Sequence, residues 1–159
     1  MNLCGKCIVL GVAAIWDKRK GLEDMVALAD KLGDGYQVMV VGVTPEQKGQ
    51  LPSNVVGITR TNSVEELREI YAIADVFVNP TYEDNYPTTN LEARTCGTPV
   101  ITYRTGGSAE SADLIVDQND VSRVANILQH QIKVTSQFDA ELCSRESMTR
   151  KYMFFFQLR

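Results

Sequence analysis

The chain has 159 residues, of which 44% are hydrophobic and 23% charged, and its formal net charge is −4. This composition is typical of a soluble globular domain, and the length suffices for one core of ordinary size but not for two. The acidic balance argues against a nucleic-acid-binding surface, and no apolar run approaches the length of a membrane span.

The first apolar run, residues 8–16, leads directly into the basic stretch 17–21 without a small-residue cleavage site. We therefore interpret it as a buried strand and not as the core of a signal peptide. Cys4 and Cys7 have the spacing of a redox or zinc half-site, but no second pair follows and His130 is the only histidine. We expect ordinary thiols, no metal site and a cytoplasmic, reducing location.

The first half of the chain alternates between predicted strands and helices. Residues 8–14, 36–43 and 55–59 are apolar runs of the kind found in parallel sheets covered on both faces. Between the first two, a helix begins at Gly21 and ends at the glycines that follow Leu32. The polar stretch 44–54 contains two prolines, so it is predicted to be a loop with at most one turn of helix.

The second half continues the alternation. Residues 63–66 form a capping-box pattern at the start of a helix, and strands are predicted at 74–78, 100–103 and 112–116. A helix from Pro87 to Gly97 lies between the first two of these strands, because proline suits a first turn and glycine the position after the last. A final helix, capped by Asp120, carries apolar positions as far as Ile132.

This alternation predicts an α/β fold, a three-layer doubly wound parallel sheet of the Rossmann-like type. We assign residues 1–134 to this domain and residues 135–159 to a C-terminal helical tail, truncated or displaced, which ends in an aromatic cluster at 152–156. The start of the helix near Pro87 faces the carboxyl end of the strand before it. Backbone N–H groups and the helix dipole converge there on an anion, so a phosphate-bearing ligand is predicted.

Five sequence pieces resemble one known family. Asp84 and Glu92 have seven residues between them and precede Ala93-x-x-Cys-Gly-Thr-Pro-Val. This whole arrangement is similar to the E-x7-E region of the retaining glycosyltransferases of family 4, which have the GT-B fold. The other pieces, in matching order, are Lys20-Gly-Leu, Val40-Val-Gly, Ala74-Asp-Val-Phe-Val before Pro80, and residues 105–110. The resemblance covers residues 6–110, more weakly to 128. It implies a single half of a GT-B enzyme, the C-terminal, donor-binding one.

The resemblance implies roles for the two acids and one lysine. Glu92 would accept hydrogen bonds from ribose hydroxyls, although Thr89 to Glu92 is also a capping-box pattern. Asp84, where the family has glutamate, would hold the transferred sugar. Glu83 is an alternative for that role, and both acids could instead form a solvated loop. Lys20 corresponds to the lysine that neutralises the diphosphate leaving group, a charge that develops in the transition state.

The chain also departs from the family pattern. The arginine that usually follows the glycine of the first strand is absent, because Val12 follows Gly11. Arg19 or Lys18 would replace it, unless residues 18–20 are only a solvated basic turn. The remaining donor-binding candidates are Thr88 and Thr89 for the diphosphate, Asn85 in place of a glycine-rich loop, Gly42 for close approach, Arg60 near the base, and Gly107 in a tight turn with Gly106 under the sugar.

The implied function is donor binding in a retaining glycosyltransferase that moves a sugar from a nucleotide diphosphate sugar to a carbohydrate or lipid-linked acceptor, without metal or cofactor. An acceptor-binding domain, in cis or in trans, would be needed, so we expect the isolated chain to bind nucleotide weakly and transfer nothing. The alternative is a non-catalytic nucleotide-binding or assembly module that docks with a separate acceptor-domain chain. A response-regulator-like receiver is disfavoured, because residues 11–15 provide no acid.

Overall fold

The computed structural model describes residues 5–130 of the chain. Within this range six strands form one parallel sheet in the order β3-β2-β1-β4-β5-β6. The strands are β1 (Cys7–Val12), β2 (Tyr36–Val41), β3 (Val55–Ile58), β4 (Val76–Asn79), β5 (Val100–Tyr103) and β6 (Leu114–Val116). The helices are α1 (Leu22–Leu32), α2 (Pro45–Gln50), α3 (Val64–Ile73), α4 (Thr88–Thr95) and α5 (Val121–Gln129), with a 3-10 helix at Gly106–Ser111.

Helices cover both faces of the sheet, which explains why its strands are continuously apolar. Successive residues of a strand point to opposite faces. Val9 therefore packs in one core with the buried sides of α1 and α5, and Leu10 packs in the other with α3 and α4. The predicted three-layer, Rossmann-like α/β fold is confirmed.

The chain reverses its direction of progress across the sheet between β1 and β4. From β1 the chain moves outward to β2 and β3, and it then returns to β4 and moves the other way. The loop after β1 leads to α1 on one face, whereas the loop after β4 leads to α4 on the other. Because the two loops lead to opposite faces, a crevice forms beside them at the carboxyl edge of the sheet, where open α/β sheets bind ligands.

A loop with at most one turn of helix was predicted at residues 44–54, and the structure has a longer helix there, the six-residue α2. Thr44 accepts a hydrogen bond from the backbone N–H of Gln47 at 3.1 Å, and the Gln47 side chain accepts one from the N–H of Thr44 at 2.9 Å. Pro45 occupies the first helical position, where its missing N–H costs nothing. The proline that indicated a loop therefore starts a helix.

Other differences concern element ends. β1 and β2 stop two residues before their predicted ends, and β4 begins two residues late, at Val76. At α3, Ser63 caps Glu66 as predicted, but the Glu66 carboxylate accepts from the backbone of Asn62, so the capping box is only half formed. Gly106 and Gly107 begin a 3-10 helix and not a simple tight turn.

The tail at 135–159, Ile132, Cys4 and Cys143 lie outside the described residues, and the domain boundary at 134 stays a prediction. None of the helices within residues 5–130 combines the length and the apolar character needed to cross a bilayer.

Candidate functional site

Two loops meet at the crevice and are bonded to each other. The backbone oxygen of Arg19, in the loop after β1, accepts hydrogen bonds from the N–H of Tyr82 at 2.7 Å and from the hydroxyl of Thr81 at 3.2 Å. Gly21, at the start of α1, has a φ of 72°, and a Cβ there would collide with the carbonyl oxygen of Pro80. Glycine is required for this contact, which fixes the first loop against the second.

Lys20 and Asp84 join the loops through their side chains. The Lys20 ammonium lies 2.5 Å from Asp84 Oδ2, and the two side chains are 29% and 17% exposed. The other Asp84 oxygen accepts from the backbone N–H of Tyr86 at 3.1 Å. The two charges balance each other in a partly dehydrated position, so an anionic ligand would compete with Asp84 for the lysine.

A pocket of about 390 Å³, here called the switch-point pocket, opens beside this ion pair. Its lining consists of residues 12–17 and 86–89 together with Arg19, Lys20, Asn79 and Asp84. The first turn of α4 contributes Thr88 and Thr89. Pro87 precedes that turn, and no side chain of the described residues caps it. Backbone N–H groups and the positive end of the helix dipole therefore lie at the pocket, next to a lysine, as an anion site requires.

Glu92 lies one helical turn beyond the tip of α4. Its spacing of three and four residues from Thr89 and Thr88 places it on the same side of the helix. The side chain is exposed, and its Oε2 accepts a hydrogen bond from the hydroxyl of Tyr71 at 3.0 Å. The alternative role of Glu92 in a capping box was wrong, because the helix begins at Thr88 and Glu92 is its fifth residue.

A buried polar network anchors α4 beneath the pocket. The Asn90 side-chain oxygen accepts from the Asn79 amide at 2.8 Å, and its amide nitrogen donates to the Ser111 hydroxyl at 3.0 Å. Thr102 donates to the carbonyl of Asn79 at 3.0 Å and shares a hydrogen bond with Ser108. Sequence reasoning missed this network. The feature of the sequence that could have indicated this network is Asn90, a polar residue on the inward face of α4, three residues before the fully buried Ala93.

The 3-10 helix packs directly on the loop that carries Asp84. The N–H of Gly107 donates to the carbonyl of Asn85 at 2.9 Å. Gly106 has a φ of 43°, and a Cβ on Gly106 or Gly107 would collide with the carbonyl oxygen of Asp84 or Asn85, respectively. The two glycines therefore support the backbone beneath Asp84, which places them under the pocket wall.

Two other concavities have more acidic than basic side chains in their linings, with Lys6 in one and Lys18 in the other, and are therefore less suited to an anion. One of about 370 Å³ lies at the opposite edge of the sheet, near the end of α1 and the start of β2, and its lining includes Asp30 and Asp34. Another, of about 750 Å³, adjoins the switch-point pocket and is lined partly by Asp17, Glu23 and Asp24. Neither lining includes the tip of α4, so the switch-point pocket is the candidate site.

Comparison with known proteins identifies the family. The family model described as glycosyl transferases group 1 matches residues 6–133, most of the chain. The chain belongs to this family.

Relatives within the family include alpha-galactosylglucosyldiacylglycerol synthase of Streptococcus pneumoniae. It is 31% identical over 110 residues, a match that covers 59% of this chain and 28% of the relative. Among solved structures, sucrose-phosphate synthase of Thermosynechococcus elongatus superposes with a TM-score of 0.70 at 26% identity, over 97% of this chain and 46% of its own. Anabaena HepE in complex with UDP and glucose has a TM-score of 0.69 over 84% of this chain and 42% of its own, and at 15% identity it shows the fold alone. The chain thus spans less than half the length of each of these proteins.

The residues predicted for a glycosyltransferase site fall into two groups. Five of them line the switch-point pocket: Arg19, Lys20, Asp84, Thr88 and Thr89. The others lie at the same edge of the sheet or beneath the pocket but outside its lining: Gly42, Arg60, Glu83, Asn85, Glu92 and Gly107. Of the two acids that sequence left open, Asp84 faces the pocket and Lys20, whereas Glu83 is exposed outside it.

Gly42 and Arg60 lie towards the β2 and β3 side of the sheet. Gly42 follows β2 and packs against the carbonyl oxygen of Ala13, a contact that itself accounts for a glycine. Arg60 is exposed two residues after β3. Arg19, proposed as the substitute for the missing family arginine, is exposed and paired with Asp17 at 2.8 Å. Its hydrogen bond lowers the pKa of the Asp17 carboxyl.

Aromatic side chains near the site act as anchors, whereas the Cys7 thiol lies at the opposite edge of the sheet, where β1 begins. Trp16 is buried and donates to the carbonyl of Val41 at 2.8 Å, so it is a packing residue. Tyr82 donates to Asp24 at 2.7 Å, and burial, together with that bond, raises the pKa of its hydroxyl to about 12. Burial and the nearby Asp75 raise the pKa of the Cys7 thiol to about 11, so this thiol is a poor nucleophile at neutral pH.

Proposed function

We propose that this chain is the C-terminal, donor-binding half of a retaining glycosyltransferase of family 4, and that it takes a nucleotide diphosphate sugar. The observation that carries the proposal is the Lys20–Asp84 pair beside the uncapped start of α4. A lysine and a helix N-terminus at one pocket provide two sources of positive charge for a diphosphate. The family's relatives support sugar transfer, since the Streptococcus and Thermosynechococcus proteins are both named as synthases of glycosyl products.

In this proposal each group meets a different part of the donor. The diphosphate lies at Thr88 and Thr89 and draws the Lys20 ammonium from Asp84. Lys20 then stabilises the charge that develops on the leaving group, which lowers the barrier more than it tightens ground-state binding. The Asp84 carboxylate, released from the lysine, accepts hydrogen bonds from hydroxyls of the sugar. Glu92, one turn along α4, accepts hydrogen bonds from the ribose hydroxyls.

Direct titration of the 159-residue chain tests donor binding. UDP, GDP and ADP are titrated in turn by calorimetry, with UDP first because a protein of the same fold was solved with it. We expect one of the three to bind weakly and inorganic pyrophosphate to compete with it. EDTA should leave that binding unchanged, because Lys20 and the helix start provide the positive charge. A chain that responds to none of the three would refute donor binding.

Transfer itself is proposed to require an acceptor-binding domain that contributes the other wall of the cleft. Donor hydrolysis and transfer by the chain alone should be absent, and they should appear when an acceptor-binding domain is supplied in cis or in trans. Anomeric NMR of the product would then show whether the configuration of the donor is retained. If the assembled enzyme binds nucleotide without any transfer, the non-catalytic assembly module is the better description.

A further inference from the structure

A buried tyrosine contacts Glu92, the carboxylate that lies on α4 just beyond the lining of the switch-point pocket. Tyr71 lies on α3 and is 1% exposed, and its hydroxyl donates to Glu92 Oε2 at 3.0 Å. No part of the sequence pattern indicated this contact, because Tyr71 is simply one of the apolar positions that bury α3. The bond crosses between the two helices that cover the same face of the sheet.

The core fixes the position of the Tyr71 ring. The ring packs against Phe77 of β4 with the centroids 5.6 Å apart and the planes tilted by 59°. The backbone oxygen of Tyr71 accepts a hydrogen bond from the buried hydroxyl of Thr98 at 2.5 Å. Because the Tyr71 ring is constrained, its hydroxyl has a fixed position. A glutamate on an exposed helical surface has several rotamers of similar energy.

Glu92 has enough acceptor capacity to keep this bond and still bind a ligand. An ionised carboxylate offers about four lone-pair positions, and Tyr71 occupies one of them. The other carboxylate oxygen and the remaining lone pair of Oε2 can accept hydrogen bonds from two vicinal hydroxyls. A hydrogen bond to an ionised acceptor is also stronger than one between neutral groups, so the phenol is an effective restraint on the carboxylate.

We propose that Tyr71 is a positioning residue that holds Glu92 ready to accept the 2′- and 3′-hydroxyls of a nucleotide ribose, and that it thereby contributes to selection of ribonucleotide donors. This inference rests on the proposed function, because it assigns Tyr71 a role at the same site. Preorganisation of this kind raises affinity by removing the entropic cost of ordering Glu92 when the ligand binds.

The test compares two tyrosine-to-phenylalanine variants of the 159-residue chain. Tyr71→Phe removes the hydroxyl and keeps the packed ring. Tyr103→Phe is the matched control, since Tyr103 is also 1% exposed and its hydroxyl donates to a carboxylate, that of Asp24, at 2.8 Å. The ligands are the best-binding of UDP, GDP and ADP, its 2′,3′-dideoxy counterpart and inorganic pyrophosphate, each titrated by calorimetry.

We expect Tyr71→Phe to weaken binding of the ribonucleotide about fivefold, because one hydrogen bond to a charged group is lost indirectly. Binding of the dideoxy ligand and of pyrophosphate should not change, and Tyr103→Phe should leave the ratio of ribo to dideoxy affinity as in the wild type. In a Glu92→Gln background, Tyr71→Phe should not alter that ratio further. A general structural defect would instead weaken all three ligands together.

The outcomes separate the two proposals. If the wild-type chain binds none of the nucleoside diphosphates, the proposed function fails and the role of Tyr71 fails with it. If the wild type binds and Tyr71→Phe keeps the wild-type preference for ribose, only the positioning role is overturned.

A measurement on the wild type covers the case in which Tyr71→Phe does not fold. The 13Cζ resonance of Tyr71 should shift with the ribonucleotide but not with the dideoxy ligand or pyrophosphate. An equal response to all three ligands would contradict the inference.

Discussion

The two carboxylates of the Asp84–Glu92 pattern lie in contrasting environments. Asp84 is in a loop, 17% exposed, and is paired with the Lys20 ammonium. Glu92 is exposed on α4, and the donor that holds it is the neutral phenol of Tyr71. One acid therefore belongs to a balanced ion pair, and the other is hydrogen-bonded to a neutral partner.

This difference suits the two acids to different parts of one ligand. The Lys20–Asp84 pair can exchange partners when a diphosphate binds, because Lys20 then contacts a more highly charged anion and the Asp84 carboxylate is released. A carboxylate held by a neutral donor has no competing cation at that bond and is ready for hydroxyl donors. The two acids of the pattern look equivalent in the sequence, but in the fold Asp84 suits an exchange of cation partner and Glu92 suits hydroxyl binding.

The largest expected effect is the loss of nucleoside diphosphate affinity when the Lys20 side chain is removed. Lys20→Ala leaves Asp84 without its ion-pair partner beside the diphosphate, and truncating one member of such a pair should weaken nucleoside diphosphate binding about 100-fold. Calorimetry measures the change. Arg104→Ala is the control, because Arg104 lies outside the pocket lining and is 66% exposed in its pair with Asp117, so about a threefold effect or less is expected. Adding Asp84→Asn to Lys20→Ala should restore part of the affinity. Equal losses for Lys20→Ala and Arg104→Ala would show that the partly buried Lys20–Asp84 pair has no special role.

The buried Asn90 network, which holds α4 in place between the two acids, should contribute next. Asn90→Leu keeps the number and branching of the side-chain heavy atoms but leaves the Asn79 amide and the Ser111 hydroxyl without this partner, so the free energy of unfolding should fall by about 2 kcal/mol. Urea denaturation provides the measurement. Asn126→Ala, at an exposed position of α5, should change the free energy of unfolding by less than about 0.5 kcal/mol. If the two variants are equally stable, the network does not anchor the helix.

Glu92→Gln tests the hydroxyl-binding side of the comparison. A neutral amide is a weaker acceptor, so we expect about a tenfold loss of ribonucleotide affinity, since hydrogen bonds to charged groups are worth more than neutral ones. Pyrophosphate binding should stay as in the wild type, in contrast to Lys20→Ala, which should weaken both ligands. Glu65→Gln, at an exposed position of α3, is the matched control. A parallel loss of pyrophosphate binding in Glu92→Gln would mean that the two acids share one role.

The smallest expected effect is on stability at alkaline pH. Burial, and then the neighbouring Glu92, raises the pKa of Tyr71 above its ordinary value of 10.0. The folded chain therefore keeps a proton that the unfolded chain releases, so the free energy of unfolding falls as the pH rises above 10. Between about pH 9 and about pH 10.5 this decline should be about 0.8 kcal/mol smaller in Tyr71→Phe. Urea titrations at each pH measure it, and identical slopes for the two proteins would contradict the environment assigned to Tyr71.

Most of the fold could be predicted from the sequence because its signals are local. Apolar runs indicated β1 to β5, and glycine and proline marked the ends of α1 and α4, since these residues control the backbone directly. Residues 45–50 were the exception: Pro45 favours a helix start as much as it breaks a helix, and only the reciprocal bonds of Thr44 and Gln47 decide between the two.

The candidate site was predicted in part. Lys20, Asp84, Thr88 and Thr89 were identified from motif positions, and the structure brings all four to one pocket. Glu83 could not be separated from Asp84, because neighbouring acids in a loop differ only in which side chain the folded loop turns towards Lys20. Asn90 and Tyr71 were missed because each contacts a partner that is distant in the sequence, on another helix or strand.

The order of apolar runs and turn residues by itself determined a doubly wound parallel sheet, and it placed a lysine, two acids and a helix start at one edge. Tertiary structure alone decided which acid pairs with the lysine, which one a tyrosine holds, and what anchors α4 from below. The reason is physical: backbone preferences act over a few residues along the chain, whereas ion pairs and buried hydrogen bonds depend on distances that exist only after the elements have packed.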